Sequence, residues 1–497
     1  MDRFKVSLWL LVLLQAAVSA ASLVVEIVAG RLLAPYVGMS LYTWTSVIAV
    51  VLAGFSLGHW IGGRLAERAG RAALTATGWA LLAAALTTAL AIFLLRLLAG
   101  PVLQGVDHPV WGIAILSFLV FSLPSTFAGI PAPVLAKIAV ESGDRPGQAL
   151  GAIFAAGAVG AIAGTLLAGF LFISWLGSSL TLALVTVIYV LAALICLQLA
   201  RSRLIWALLA MAVALALAGS ALALPNPCTV ESRYFCLRSV DVSASPDHPA
   251  RLMVIDHLAH GISSRDAPQV QFTEHAAMLA ALSHIRSERP DFSTFFIGGG
   301  SYSIPRAFAL KNTGARVVAE IDPEVTAMAI RDFWFDPETA TILHEDARQA
   351  LKTRPQRYDI IVGDAFTDVA VPAHLVTREF FELVQSRLSP GGSFLMNVID
   401  YEGRLLALAS VARTLSEVFP EIEIWTNTTP PAPGARVVFV IAAGDTTSEA
   451  SRVTVPAPDQ TEFGAIAPGW VSKLIAEKGT VLTDDYAPID RLVGRPD

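Results

Sequence analysis

Three consecutive glycines, Gly298, Gly299 and Gly300, and an acid, Glu320, placed 22 positions after the first of them (320 − 298), have the types and spacing to do chemistry. They lie in TFFIGGGSYSIPRAFALKNTGARVVAEID, residues 294–322, where an apolar run meets the glycines, a helix-like stretch follows, and a second apolar run ends in acids. Glycine has no Cβ to hold a ligand away, so such a turn permits close approach to the backbone. A carboxylate at the carboxyl end of the next parallel strand can accept two ribose hydroxyls, and about 20 positions is the spacing expected between a glycine turn and a ribose-binding acid. Position 303 is Ser, where a pyrophosphate-cradling G-x-G-x-x-G turn has its third glycine. A nucleoside without a diphosphate fits better, and an adenosyl sulfonium is the expected ligand.

Those residues need a sheet to hold them. Strands are predicted at 294–297, 316–321, 340–345, 358–363 and 393–399, and helices at 324–333, 347–352, 377–388 and 404–418. Alternation at these short spacings predicts a doubly wound parallel sheet. Two strand-like runs in succession, 421–426 and 436–442, predict an antiparallel edge. Ahead of the sheet, 232–263 alternates apolar and polar residues like small antiparallel strands, and a helix is predicted at about 273–286.

The whole chain cannot be a soluble enzyme. Its 497 residues are 54% apolar and only 15% charged, with a mean hydropathy of +0.60, so part of it belongs in a bilayer. The apolar residues concentrate before Leu224, which predicts a transmembrane domain over 1–224, a small β-domain over 225–270 and an α/β domain over 271–497. A net charge of −6, with no basic cluster in the second half, leaves no electrostatic footprint for nucleic acid. Three cysteines without a paired CxxC give no metal signature.

Seven runs are long and apolar enough to span a membrane: about 6–28, 40–62, 72–98, 110–138, 148–174, 178–200 and 204–224. Pro124, Pro131 and Pro133 predict a kinked or broken fourth helix. The first run has signal-peptide features (Arg3, Lys5, and VSA at 18–20), but its apolar length to Val28 favours a retained span. Small residues in the fifth run (Gly151, Ala155, Gly160, Gly164 and Gly169) predict close helix packing. Glu26 and Arg31 are either an interfacial pair holding the first loop or part of a substrate path. GGRLAERAGR at 62–71 resembles the signature between the second and third helices of the major facilitator superfamily, and 147–169 is similar to its fifth helix. The resemblance covers six spans, half a transporter, and does not imply transport.

Basic residues predict a topology. Arg3, Lys5, Arg64, Arg68, Arg71, Lys137, Arg145, Arg201 and Arg203 fall on one side of a seven-span order, against Arg31 and Arg96 on the other. The positive-inside rule makes the first side cytoplasmic. A multi-pass protein of the cell (inner) membrane then has everything after Leu224 outside the cytoplasm, where Cys228 and Cys236 are expected to bond. Adenosyl cofactors are made in the cytoplasm, so this placement conflicts with the ligand. Either the seventh run does not cross, or the cofactor passes the membrane, or the ligand reading is wrong.

Six motifs in order carry a further resemblance: FFIGGG, AEIDPEV at 319–325, HEDAR at 344–348, YDIIVGDAF at 358–366, HLVTREFF at 374–381 and LTDDYAP at 482–488. Over roughly 230–490 they resemble the spermidine synthase family, in its membrane-fused bacterial branch. The resemblance implies a class I methyltransferase-like (Rossmann-like) domain behind a small β-domain, and transfer of an aminopropyl group from decarboxylated S-adenosylmethionine to a di- or polyamine. It implies cofactor binding by Gly298, Gly299, Gly300, Ser301, Glu320, Ile321, Asp346, Ala347 and Asp364. Within that set Glu320 would hold the ribose, Asp346 and Ala347 the adenine edge, and Asp364 the reacting centre.

The residue types suit that chemistry. A carboxylate at Asp364 can attract an amine and keep it unprotonated for in-line attack, which makes Asp364 the catalytic candidate. Asp368, Asp484 and Asp485 would add negative charge for a polyamine, while Tyr302, Phe366 and Tyr486 would wall an alkyl chain or sulfonium. The expected substrate-binding set is Tyr302, Asp368, Asp485 and Tyr486, with no metal. Two departures stand out: Ser301 and Thr367 occupy positions where soluble aminopropyltransferases carry acids. In FTEHAAML at 272–279 only Glu274 and His275 answer to an expected tyrosine and histidine, and His374 is read as a loop or capping residue. The leading function is a membrane-bound polyamine aminopropyltransferase. An S-adenosylmethionine-dependent methyltransferase and a transport or sensing protein are the alternatives. Expected partners are a small-molecule amine and the lipid bilayer, no nucleic acid, and a homo-dimer left open.

Overall fold

The computed structural model describes the chain except for residues 1–5, 107, 143–144, 312, 366–370 and 494–497. The chain divides into two compact units, Met1–Cys236 and Leu237–Asp497.

In the first unit, six helical stretches among the described residues are long and apolar enough to cross a membrane. Three are single helices, α1 (Leu8–Val37), α2 (Leu41–Ala66) and α3 (Gly70–Gly105). The fourth is broken in the predicted proline-rich region, with α4 (Pro109–Gly129) ending just before α5 (Pro131–Ser142) begins. Proline cannot donate the backbone bond that would continue the helix. The fifth stretch, Pro146–Leu199, has 54 residues. At 1.5 Å per residue it would be roughly 80 Å long, more than twice the ~30 Å hydrocarbon core. It is divided into α6 (Pro146–Leu167), one π-turn and α7 (Ile173–Leu199), and Gly177 (φ 71°, ψ 174°) breaks the start of α7. The two predicted runs 148–174 and 178–200 therefore meet at that glycine. α8 (Ile205–Ala223) follows. On α6, a Cβ at Gly160 or Gly164 would run into the carbonyls of Ala16 and Ala20 on α1, so close helix approach requires glycine at both.

Arg31, buried in α1, donates to the carbonyls of Ser232 at 2.6 Å, Tyr234 at 2.7 Å and Phe235 at 3.1 Å. Glu231, in a short strand β1 (Val230–Glu231), accepts from both the backbone N–H and the hydroxyl of Ser178 at 2.8 Å, capping the chain just past the Gly177 break. Cys228 and Cys236 are bonded to each other across this segment.

The second unit opens, from Leu237 of β2 (Cys236–Asp241), on an antiparallel meander with β3 (Ala250–Ile255) and β4 (Leu258–Ser264), followed by α9 (Glu274–Ile285). Parallel strands then alternate with helices: β5 (Thr294–Ile297), α10 (Ser303–Leu310), β6 (Arg316–Ala319), α11 (Pro323–Asp332), β7 (Thr341–Leu343), α12 (Ala347–Thr353), β8 (Tyr358–Gly363), α13 (Arg378–Ser386), β9 (Leu388–Tyr401) and α14 (Leu406–Ser416). β10 (Glu421–Asn427) and β11 (Arg436–Gly444) form the predicted antiparallel edge, and β12 (Arg452–Val455) and β13 (Thr461–Ala465) extend it.

The sheet order is β12-β13-β10-β11-β9-β8-β5-β6-β7. This is a class I methyltransferase-like, Rossmann-like sheet. Its middle strands are buried on both faces, as a parallel sheet covered by helices requires. Phe295, Ile361 and Phe394 from the strands pack with Phe380, Phe381, Leu408 and Leu415 from α13 and α14. From β5 the chain builds outward through β6 and β7, then returns to place β8 on the other side of β5. The reversal opens a crevice beyond the carboxyl ends of β5 and β8, where ligands bind in open α/β sheets.

Candidate active site

The glycine turn follows β5 and faces the end of β8. Gly298 (φ 90°), Gly300 (φ 50°) and Tyr302 (φ 56°) have positive φ. A Cβ on Gly298 would come within 2.9 Å of the Asp364 carbonyl oxygen, so both the conformation and the contact call for glycine. The Asp364 N–H donates to the Ile297 carbonyl at 3.1 Å, and the Gly298 N–H to the Ala319 carbonyl at 2.9 Å. Three neighbouring strand ends are thereby pinned together.

β6 stops at Ala319, and Glu320 stands just past it. Its side chain is 6% exposed and accepts the backbone N–H of Gly299 at 2.9 Å and that of Asp322 at 2.9 Å. Burial pushes its pKa above the ordinary carboxylate value, and the backbone N–H bonds oppose that rise. The Gly300 backbone N–H also acts on this carboxylate, whose two oxygens have about four lone-pair sites and so keep capacity for a further donor. Ile321, beside it, is 39% exposed.

Asp364 follows β8 and faces a cleft lined by His260, His275, Phe296, the turn from Gly298 to Ser301, and Val362. Its Oδ1 accepts from Asn397 Nδ2 at 3.1 Å, and its Oδ2 lies 3.8 Å from His275 Nε2. Burial lowers the His260 pKa to about 4, against the pull of Asp364 and with help from His275 and His257. Sequence reasoning missed His260 and Asn397 and left His275 without a role. Asn397 carried a signal: it interrupts the apolar run FLMNVI of β9, and a buried polar residue there needs a partner.

Asp346 and Ala347 mark the step from β7 into α12. One Asp346 oxygen caps the helix by accepting the Gln349 N–H at 2.9 Å, and the other lies 2.7 Å from His374 Nε2. Ala347 is buried as the first residue of the helix. Glycines, Glu320, Asp346 and Asp364 thus stand at the carboxyl ends of four adjacent strands.

Residues 295–451 match the spermine/spermidine synthase domain. A polyamine aminopropyltransferase of Vibrio vulnificus is 40% identical over 109 residues, covering 21% of this chain and 36% of that protein. An N-terminal histidine N-methyltransferase of Emericella nidulans is 33% identical over 146 residues, covering 28% of this chain and 25% of that protein. The chain thus spans well under two thirds of the length of these curated relatives. Among solved structures, a probable spermidine synthase from Corynebacterium glutamicum aligns with 52% of this chain and 97% of its own at 21% identity, with a TM-score of 0.46.

Other predicted site residues end up elsewhere. Tyr302 is fully buried, its ring tilted 30° to that of Phe335 with centroids 4.3 Å apart and its hydroxyl 2.7 Å from Thr326 Oγ1. It supports the turn from beneath, since a Cβ on Gly299 would strike its ring, and its side chain is buried rather than presented to the cleft. Asp485 and Tyr486 are exposed on a tight turn between Thr483 and Tyr486 and do not line the cleft. Asp484 is gripped by Arg348 at 2.7 and 2.6 Å and accepts from Thr377 Oγ1 at 2.8 Å. The Arg348 bonds hold its carboxyl below the ordinary range, so its charge is already matched. Ser301 is 3% exposed, Glu274 accepts from Asn427 at 2.7 Å, and His374 is the loop partner of Asp346. Phe366, Thr367 and Asp368 lie outside the described residues.

Proposed function

We propose that the second unit is an aminopropyltransferase acting on decarboxylated S-adenosylmethionine and a primary amine. The observation that carries this reading is the convergence of Glu320 and Asp364 on one glycine turn from opposite sides of β5. The residues present fit an adenosyl group: Glu320 is a buried acceptor for ribose hydroxyls, Ile321 an exposed apolar surface next to it, and Asp346 an acid one strand further on. When bound, the sulfonium supplies a carbon already activated toward displacement. The protein's task is then alignment and proton management. Asp364, held by Asn397, attracts the ammonium form of the amine and accepts the proton that must leave before or during attack. The first unit is read as a bilayer anchor, on the strength of the six long apolar helical stretches among its described residues.

A methyltransferase is the second reading. It is favoured by the similarity to the histidine N-methyltransferase and by the imidazoles of His260 and His275, which line the cleft with Asp364. Incubating the purified full-length protein with decarboxylated or ordinary S-adenosylmethionine and mixed amines, and reading products by mass, separates the two. Aminopropyl products from the decarboxylated form alone are expected. Methyl products from the ordinary form alone would replace this reading with the second.

A further inference from the structure

β4 pairs with β3 through Gly261 opposite Met253 and Ala259 opposite Val254, so the register skips one residue on β4. The skipped residue is His260. It is the extra residue of a β-bulge, a feature that re-aims a side chain and is enriched next to active sites. Its neighbour Gly261 is pressed against Ser301, so that a Cβ there would meet the serine hydroxyl. That contact seats the bulge directly on the glycine turn. His260 accordingly lines the same cleft as His275 and Asp364, although it comes from the meander that precedes the main sheet. With a pKa near 4, its ring is neutral at physiological pH and keeps one nitrogen lone pair for accepting a hydrogen bond. Asp364 has Oδ1 committed to Asn397 and turns Oδ2 toward His275.

We propose that His260 is a specificity-determining residue that accepts one N–H of the attacking amine opposite Asp364, and that the pair selects primary amines. An unprotonated primary amine has two N–H bonds and one lone pair. With the two N–H bonds taken by His260 and Asp364, the direction of the lone pair is set. The nitrogen then forms a C–N bond to the carbon beside the sulfonium as the C–S bond breaks, and that bond's electron pair stays on sulfur as a thioether. The surplus proton on nitrogen passes to Asp364 and from there to solvent. An N-methylated amine has one N–H fewer and leaves one acceptor unmatched. This inference rests on the aminopropyl-transfer reading.

The test uses full-length wild type, His260→Gln, His260→Leu and Asp364→Asn. Turnover of decarboxylated S-adenosylmethionine is measured with a primary diamine and its N,N′-dimethyl analogue, in which both nitrogens are secondary, and affinity for 5′-methylthioadenosine is measured separately by calorimetry. Gln keeps an acceptor and is expected within about tenfold of wild type. Leu is expected to lose about 10²-fold in kcat, the scale of a misplaced reactant, and to lose the preference for the primary amine with methylthioadenosine affinity unchanged. An active wild type with an indifferent His260→Leu overturns the role of His260 alone. A wild type that yields no aminopropyl product overturns the reaction itself, and the role with it. Loss of methylthioadenosine binding in both His260 variants would make the residue structural and overturn the inference.

Discussion

The Glu320 carboxylate accepts the Gly299 backbone N–H at 2.9 Å, which ties the end of β6 to the turn after β5 before any ligand arrives. An amide cannot reproduce this. In Glu320→Gln only one side-chain atom accepts, so either Gly299 or Asp322 faces an NH₂ group. Adenosyl affinity is expected to fall by about 1.5–3 kcal/mol, the range for hydrogen bonds to charged groups. Calorimetric titration with 5′-methylthioadenosine checks this, and unchanged affinity would remove Glu320 from the site.

Asp364→Asn is expected to fold and to bind the adenosyl group nearly as well as wild type, because an amide oxygen can still accept from Asn397. Turnover should drop by about 10² to 10⁴, the usual contribution of a general base. A rate within a few-fold of wild type would transfer the proton-accepting role to another group.

His260 gives an acid-side stability effect whose sign follows from its depressed pKa. The folded chain protonates it near pH 4, whereas the ordinary value is 6.5, so between these values the unfolded chain binds more protons. The contribution is fully present above pH 6.5 and is lost as pH falls toward 4. Asp364, His275 and His257 are the charged or titratable groups acting on it. In His260→Gln, thermal unfolding of the full-length protein should depend less steeply on pH in that window, by at most about 1.4 kcal/mol per pH unit. Identical slopes for the two proteins would show that His260 titrates normally.

Cys228 and Cys236 close a short loop whose carbonyls hold Arg31 and whose Glu231 caps the chain after Gly177. A bond of this kind persists in oxidising compartments, so finding it intact in cells is the outcome expected if this loop lies outside the cytoplasm. Alkylating cells in denaturant before and after reduction should modify Cys196 alone at first and all three cysteines afterwards. Modification of all three before reduction would place the loop in the cytoplasm.

Local sequence was enough for the elements and for where part of the candidate site falls in the fold. Period-two and helical patterns placed β5, β8, α12 and the late antiparallel pair to within a few residues, because such periodicities report which face of an element is buried. The glycines, Glu320 and Asp364 were legible for a related reason: each sits where a strand ends, and strand ends at the crevice are where backbone approach and carboxylates can act. Tertiary structure decided what those signals could not. Tyr302 follows the turn in sequence, but the turn's left-handed conformation sends its ring inward beneath Gly299. Asp484 lies in a motif that resembles a substrate site, yet Arg348, 136 positions away, claims its charge. His260 precedes the glycine turn by 38 positions (298 − 260) and carries no motif of its own. Only the one-residue slip between β3 and β4 and the packing of Gly261 on Ser301 bring it to Asp364, because pairing register and side-chain contact are properties of two chain segments together and are written in neither alone.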